Sequence, residues 1–404
     1  MPHSPPSITA LPDELLLTIG AHLVNPNQNS DLVSLSLVSR RWRPIAQEWL
    51  LRVPRFNLTH IHTYMWELSN HSHIIPLIHS LDIYSSSENR VRHARNGLSI
   101  KEYTAIRCPA ALAQRSMFIG LCMQNVYFYA GGAREKLYWG MALNEDVVAA
   151  LFGVLLCVLP GLQELRLGGG WLMDFPFFST VLASEFQDHR FEPEAWQEHS
   201  FLAGALAVVR PRLRVLHVPA EMTAMRRCAH VRTFLDFRAF DHLSEVGVTM
   251  MALRDGLLQL LDPRLVFPPS LEILRISEAM FDTTNFLHAL FSAKKTSHLP
   301  LLRRVEVYYL YPVDTVQRAA LRRPCLSPIE DAQRECKDAG VELRVYFPGF
   351  QLQTWLIGGS PWSLRDQGLD VLKAAERKAH NLPMADVCFP VLECEWDAQG
   401  NVVW

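Results

Sequence analysis

Apolar residues recur along this chain with two different periods. Over the first fifty residues the spacing is three and four, so that Leu11, Leu15, Leu16, Ile19 and Leu23 share one face of a predicted helix. Pro12 suits the first helical position, where its missing N–H costs nothing, and Asp13 and Glu14 sit where the helix dipole favours negative charge. After the loop VNPNQNS, Asp31 is placed to cap a short second helix carrying Leu32, Leu35 and Leu37. Ser39 is placed to cap a third, carrying Trp42, Ile45, Ala46 and Trp49. Pro44 inside that third helix removes a backbone hydrogen bond and predicts a bend or a late start.

Beyond Leu50 the pattern changes to short L-x-x-L-x-L triplets. They fall at Ile78, Leu81 and Ile83; Met123, Val126 and Phe128; Leu162, Leu165 and Leu167; Leu213, Leu216 and Val218; Leu243, Val246 and Val248; Leu271, Leu274 and Ile276; and Leu302, Val305 and Val307. Val341, Leu343 and Val345 add a last strand of the same alternation. The later middle positions, Leu216, Val246, Leu274 and Val305, lie 30, 28 and 31 residues apart, with helical patterns between them at Val231 to Phe240, Leu253 to Leu261, Asn285 to Phe291 and Ile329 to Ala339. A strand plus a helix at a near-constant period resembles the leucine-rich-repeat mode, in which each unit buries its apolar side by stacking on the next. The earlier intervals are longer, and one insertion lies near Asp174 to Ser200. The consensus Asn is missing, with Gly170, Glu221, Met251, Ala279 and Leu310 in its place. The expected fold class is therefore α/β: an N-terminal three-helix unit, an irregular leucine-rich-repeat-like solenoid and a C-terminal cap.

The N-terminal unit resembles an F-box. The residues that carry the resemblance are Leu11, Pro12, Asp13, Glu14, Leu15, Asp31, Leu32, Leu35, Val38, Ser39, Arg40 and Trp42, in the family's order. The resemblance implies a Skp-type adaptor as partner, and through it a cullin, with Leu11, Pro12, Leu15, Leu32, Leu35, Val38 and Trp42 as the adaptor-binding set. Physics points the same way, because about forty residues are near the limit for a self-sufficient core. The expected boundaries are 1–10 for a flexible N-terminus, 11–50 for the F-box, 51–346 for the solenoid and 347–404 for the cap. In the cap, Leu364 to His380 reads as a helix, LECEWDAQGNVVW as two short strands around a turn, and Trp355, Trp362, Trp396 and Trp404 supply aromatic area.

Composition narrows the partners. At 404 residues, 49% hydrophobic and 20% charged, the chain has ordinary globular material. A formal net charge of -2 supplies no basic field for nucleic acid or an anionic membrane. The apolar run Val147 to Leu159 is too short to span a bilayer and fits a buried helix. No secretory signal is visible at the N-terminus, and the eight cysteines make no C-x-x-C pair, so a soluble cytoplasmic or nuclear protein with reduced core thiols is expected. Gly168 to Gly170 lack the Lys-Ser or Lys-Thr of a phosphate loop, and no G-x-S-x-G or H-E-x-x-H motif occurs. The pairs His60 with His62 and His71 with His73 lack nearby Cys or carboxylate companions. No enzyme activity, metal or cofactor is expected.

Side chains alternate along a strand, so the residue between two core positions faces the other way. That row reads Asp82, Tyr127, Arg166, His217, Gly247, Arg275, Glu306 and Arg344, followed by a second row that includes Tyr308 and Tyr346. Tyr and Arg are enriched where proteins bind proteins. Tyr127, Arg166, Arg275, Tyr308 and Arg344 are the candidate target-binding residues, for an acidic or phosphorylated segment. Taken together, these readings describe the substrate receptor of a cullin ubiquitin ligase, with a non-catalytic scaffold as the alternative.

Overall fold

The computed structural model describes residues 11–24, 30–84, 107–130, 132–146, 148–167, 207–218, 236–254, 259–309 and 329–347, with short pieces at 205, 316, 392–393, 395–396 and 402–403. Three helices open the chain: α1 (Asp13–Leu23), α2 (Ser30–Val38) and α3 (Trp42–Arg52). A parallel sheet follows, made of β1 (Arg55–Asn57), β2 (Ser80–Tyr84), β3 (Glu164–Leu167), β4 (Val215–His217), β5 (Glu245–Thr249), β6 (Ile273–Ala279), β7 (Arg304–Tyr309) and β8 (Glu342–Phe347). Each strand pairs with the next one in chain order, always in parallel. Parallel neighbours need a crossover. Between β6 and β7 it is α10 (Thr283–Lys295), and between β7 and β8 it is α11 (Ile329–Asp338).

Register explains the spacing read from the sequence. Leu81 pairs with Leu165, Leu165 with Leu216, Leu216 with Val246, Val246 with Leu274, Leu274 with Val305, and Val305 with Leu343. All but the last of these side chains are buried, and they run through one continuous apolar core. Ile83, Leu167, Val218, Val248, Ile276 and Val307 line the same core two residues further along.

Several expected elements differ. Met123, Val126 and Phe128 lie in a helix, α6 (Arg115–Tyr129), and β2 pairs directly with β3. Fifteen residues without a proline favour helix over a three-residue strand, and Phe118, Cys122 and Val126 bury one face at a spacing of four. The β2–β3 crossover also holds α4's neighbours in the core, α5 (Pro109–Ala113), α7 (Ala133–Asn144) and α8 (Val148–Val158), where α4 spans Ile61–Asn70. Around the helix expected over Leu253 to Leu261, Met250–Leu253 forms a 3₁₀ turn and Arg254 bridges Leu260 before the short α9 (Pro263–Val266), while residues 255–258 lie outside the described residues. Phe237 and Phe240 sit in a turn, with the Phe237 ring stacked 5.9 Å from that of Phe267. Residues 231–235, the insertion near Asp174 to Ser200, Gly168 to Gly170 and the helix expected over Leu364 to His380 lie outside the described residues. Of the expected cap, β9 (Leu392–Glu393) adds antiparallel to β8, and β10 (Glu395–Trp396) pairs antiparallel with β11 (Val402–Val403).

Candidate functional site

The first candidate surface is the N-terminal helical unit. Leu16, Trp42 and Ile45 make its core, with Leu11, Leu17, Ile19, Leu35 and Trp49 packed around them. Gly20 permits the close approach of α1 and α3, because a Cβ there would lie 2.6 Å from Cδ1 of Trp49. The Trp49 indole N–H donates to the Leu17 carbonyl at 2.8 Å, satisfying the one polar group of a largely buried ring. At the other end Arg41 donates to the Leu11 carbonyl and pairs with Asp13 at 2.9 Å, tying the start of α1 to the start of α3. Ser39 accepts the Trp42 N–H at 3.3 Å, as a capping residue does. The N-cap of α3 is Arg41, two residues beyond Ser39, so the helix starts later than a Ser39 cap would give, and Pro44 falls in its first turn, where its missing N–H has no partner to lose.

The adaptor-binding set divides by burial. Leu15 (50% exposed), Val38 (69%) and Pro12 stand at the surface, while Leu11 and Leu35 are half-buried. Leu32 (1%) and Trp42 (5%) are inside the unit and present no face to a partner. Three packed helices need apolar side chains of their own, and these two serve that need. Val33 and Leu37 are exposed instead, one turn apart on α2 beside Val38. Leu15 on α1 and Val33, Leu37 and Val38 on α2 thus leave an apolar surface turned outward on a small unit.

Residues 8–53 match the F-box-like family. The chain thus carries an F-box-like domain, and its α1 to α3 are the three helices of that domain. No curated protein and no solved structure matches the chain.

Below the F-box, the second candidate surface is the polar face of the sheet. Register sets one residue from every strand in a single row: Arg55, Asp82, Arg166, His217, Gly247, Arg275, Glu306 and Arg344. Arg55 was missed in the sequence because β1 carries no apolar triplet. Tyr127 does not belong to the row, since it lies exposed on α6. The row is an ion-pair ladder. Arg55 lies 3.5 Å from Asp82, Arg166 2.7 Å from Glu164, Arg275 3.3 Å from Glu245 and 3.5 Å from Glu306, and Arg344 2.7 Å from Glu342. His217 and Arg275, the register neighbours of Gly247 on either side, both reach the same Glu245 oxygen.

Burial overturns the picture of a solvated arginine and tyrosine face. His217, Thr249, Ser277, Glu306, Tyr308 and Tyr346 are all buried. Tyr308 stacks 4.6 Å from Tyr346, its register neighbour, and its hydroxyl donates to Glu306 at 2.9 Å. Arg275 is largely buried, whereas Arg166 and Arg344 keep more of their surface. The five proposed target residues therefore do not form one exposed surface, and each of the three arginines has a carboxylate partner. Sequence alternation identifies a face but not whether it is covered. The sequence also gave no warning of Glu278, a buried carboxylate at a β-bulge with φ of 50°, to which the Thr249 hydroxyl donates at 3.3 Å.

The ladder titrates in acid. Burial is the largest influence on His217 and lowers it to about 4, so its ring is neutral and its Nε2–H donates to Glu245 at 2.7 Å. Burial alone would raise Glu245, but that hydrogen bond and the nearby cations hold it at about 2. Both folded values lie below their unfolded ones, so the unfolded chain takes up protons first as pH falls. Stability contributed here should be constant above pH ~6.5 and decline between pH ~6.5 and 4, then further towards 2. Denaturant titrations across that range check this, and His217→Gln should remove the part of the slope above pH ~4.5. An unchanged slope would assign the effect to other groups.

A second polar cluster is buried between α4 and the crossover helices. Asp146, at φ of 56°, lies 2.7 Å from Arg107, 3.2 Å from Arg115 and 3.3 Å from Nε2 of His62. Nδ1 of His62 accepts the Cys108 N–H at 3.2 Å, which places the ring proton on Nε2, and burial lowers the pKa of the ring. This arrangement fastens the crossover to α4. Cys108, Cys122, Cys157 and Cys336 are buried free thiols, and burial pushes the last three up to about 12. Among the described residues no group of three His, Cys, Asp or Glu side chains could hold a metal ion, and no helix is long and apolar enough to cross a membrane.

Proposed function

We propose that the chain is the substrate-recognition subunit of a cullin ubiquitin ligase, its F-box binding a Skp-type adaptor and the remainder holding a protein target. The observation that carries this reading is the F-box-like match over residues 8–53 together with the exposed apolar side chains Leu15, Val33, Leu37 and Val38 on that domain. In this reading the sheet is an irregular leucine-rich-repeat-like solenoid, supported by strand order that follows chain order and by the in-register row from Leu81 to Leu343. The chain contributes proximity, raising the effective concentration of target lysines at the loaded conjugating enzyme, and does no bond chemistry itself. Its place is then the cytoplasm or nucleus.

Adaptor binding should depend on the outward residues and not on the inward ones. Burying a Leu or Val side chain is worth about 1.5–3 kcal/mol, so Leu15→Ala with Val38→Ala should weaken adaptor binding at least tenfold, or ~1.4 kcal/mol. Co-purification of the adaptor with the full chain measures it, and full adaptor recovery would sink the assignment. Affinity purification with and without residues 11–50, followed by assay of target ubiquitination, separates a receptor from a scaffold: a scaffold keeps its partners and changes nothing in their ubiquitination.

A further inference from the structure

The crossover from β2 to β3 is much longer than the later ones, and its helices do more than connect strands. α8 and the inner side of α6 fill the core, and Trp139 and Leu143 of α7 point inward with them. The outer side of the α6–α7 pair is apolar as well. Met117, Leu121 and Phe128 follow one another along α6 at helical spacing, Tyr127 lies beside them, and Leu137 with Met141 continues the surface on α7. Phe128 is 84% exposed, the most open large hydrophobic side chain among the described residues. From Ser116 to Tyr129 there is no charged residue, and Lys136 lies over the Tyr127 ring at 4.8 Å instead of standing free. An outward helix face of a monomer is ordinarily polar.

Immediately beside this ridge runs a groove of about 150 Å³ between α6 and α4, floored by Val154, Leu155 and Val158 of α8. Leu121 belongs to both the ridge and the groove wall, and Ser69, Ser72 and Asn125 edge the opening. A ridge and a groove side by side on one apolar face suit two-fold self-association, because each copy then offers its ridge to the other's groove. The six exposed side chains present roughly 700 Å², close to the ~800 Å² per partner of a standard stable interface and above the patch size usual on a monomer. From Ser116 to Tyr129 the ridge has no charged side chain, so this part of it sets up no like-charge repulsion between copies.

We infer that this face pairs with a second copy of the chain, Phe128 of each copy seated in the groove between α4 and α6 of the other. The inference is independent of adaptor binding, since the F-box surface described above is formed by other residues. Two full-length copies with different tags, co-expressed and captured through one tag, test it. Native mass spectrometry of the captured material should show two copies, and Met117→Asp with Phe128→Asp in both should lower capture at least tenfold. Leu265→Asp with Leu301→Asp, at exposed positions elsewhere, should leave capture unchanged. A short bismaleimide should join Phe128→Cys in one copy to Ser69→Cys in the other, which checks the pairing without a charge-bearing variant. A single-copy mass at every concentration overturns the proposal, as does a pair that survives the aspartates or fails to cross-link; a single-copy chain that binds a helical peptide or lipid vesicles through Phe128 overturns it in favour of that ligand.

Discussion

Leu274→Ala should lower the unfolding free energy by about 2–5 kcal/mol, the range for a large-to-small change in a packed core. Leu274 has no exposed surface and sits in register between Val246 and Val305, so no strand edge is near to relax into the space it leaves. The cost has two parts, lost transfer energy and an unfilled cavity, and the second depends on how far neighbours can collapse. Two β-branched neighbours held by a parallel ladder on both sides have little freedom to do so. Leu343→Ala makes the comparison internal, because Leu343 is the end of the same row and only partly buried. Chemical denaturation followed by circular dichroism should give the larger loss at Leu274. Equal losses, or a loss under ~1 kcal/mol at Leu274, would show that the row is not one packed core.

Much of this fold was legible because parallel strands stacked in chain order repeat one simple signal. Leu216, Val246, Leu274 and Val305 could be aligned from spacing alone, and register then places them side by side. The same signal misled at Met123, Val126 and Phe128. Their spacing contains a three-residue step that a helix also satisfies, and only the fifteen-residue length of α6 decides the matter. In the F-box-like domain the sequence resemblance names characteristic residues without saying which way they point. Leu32 and Trp42 turn inward because a three-helix unit must first bury something of its own, whereas Leu15 and Val38 stay exposed. The charged row was visible as residues and invisible as a network. Alternation placed Arg275 and Glu306 on one face, but their mutual pairing and burial depend on neighbours that no local pattern encodes. Where an asparagine ladder was absent from the sequence, the structure has a ladder of ion pairs.

Glu306→Ala should cost about 3 kcal/mol, the lower end of the range for removing one partner of a buried ion pair, because Arg275 keeps Glu245 as a second carboxylate at 3.3 Å. Glu306 is fully buried, lies 3.5 Å from Arg275 and from Arg304, and accepts the Tyr308 hydroxyl at 2.9 Å. Its removal takes a carboxylate away from both Arg275 and Arg304 and removes the acceptor of the Tyr308 hydroxyl's hydrogen bond. Glu306→Gln keeps the shape and the Tyr308 hydrogen bond but not the charge, so it should fall between wild type and Glu306→Ala. Arg344→Ala provides the contrast. Its pair with Glu342 stands at the surface, where such pairs contribute ~0–1 kcal/mol. A Glu306→Leu, Arg275→Met double variant should recover part of the loss, because an apolar replacement for both partners removes the desolvation cost along with the attraction. Equal effects of Glu306→Ala and Arg344→Ala would mean that the ladder is solvated along its whole length, and the polar face of the sheet would then return as an accessible binding surface.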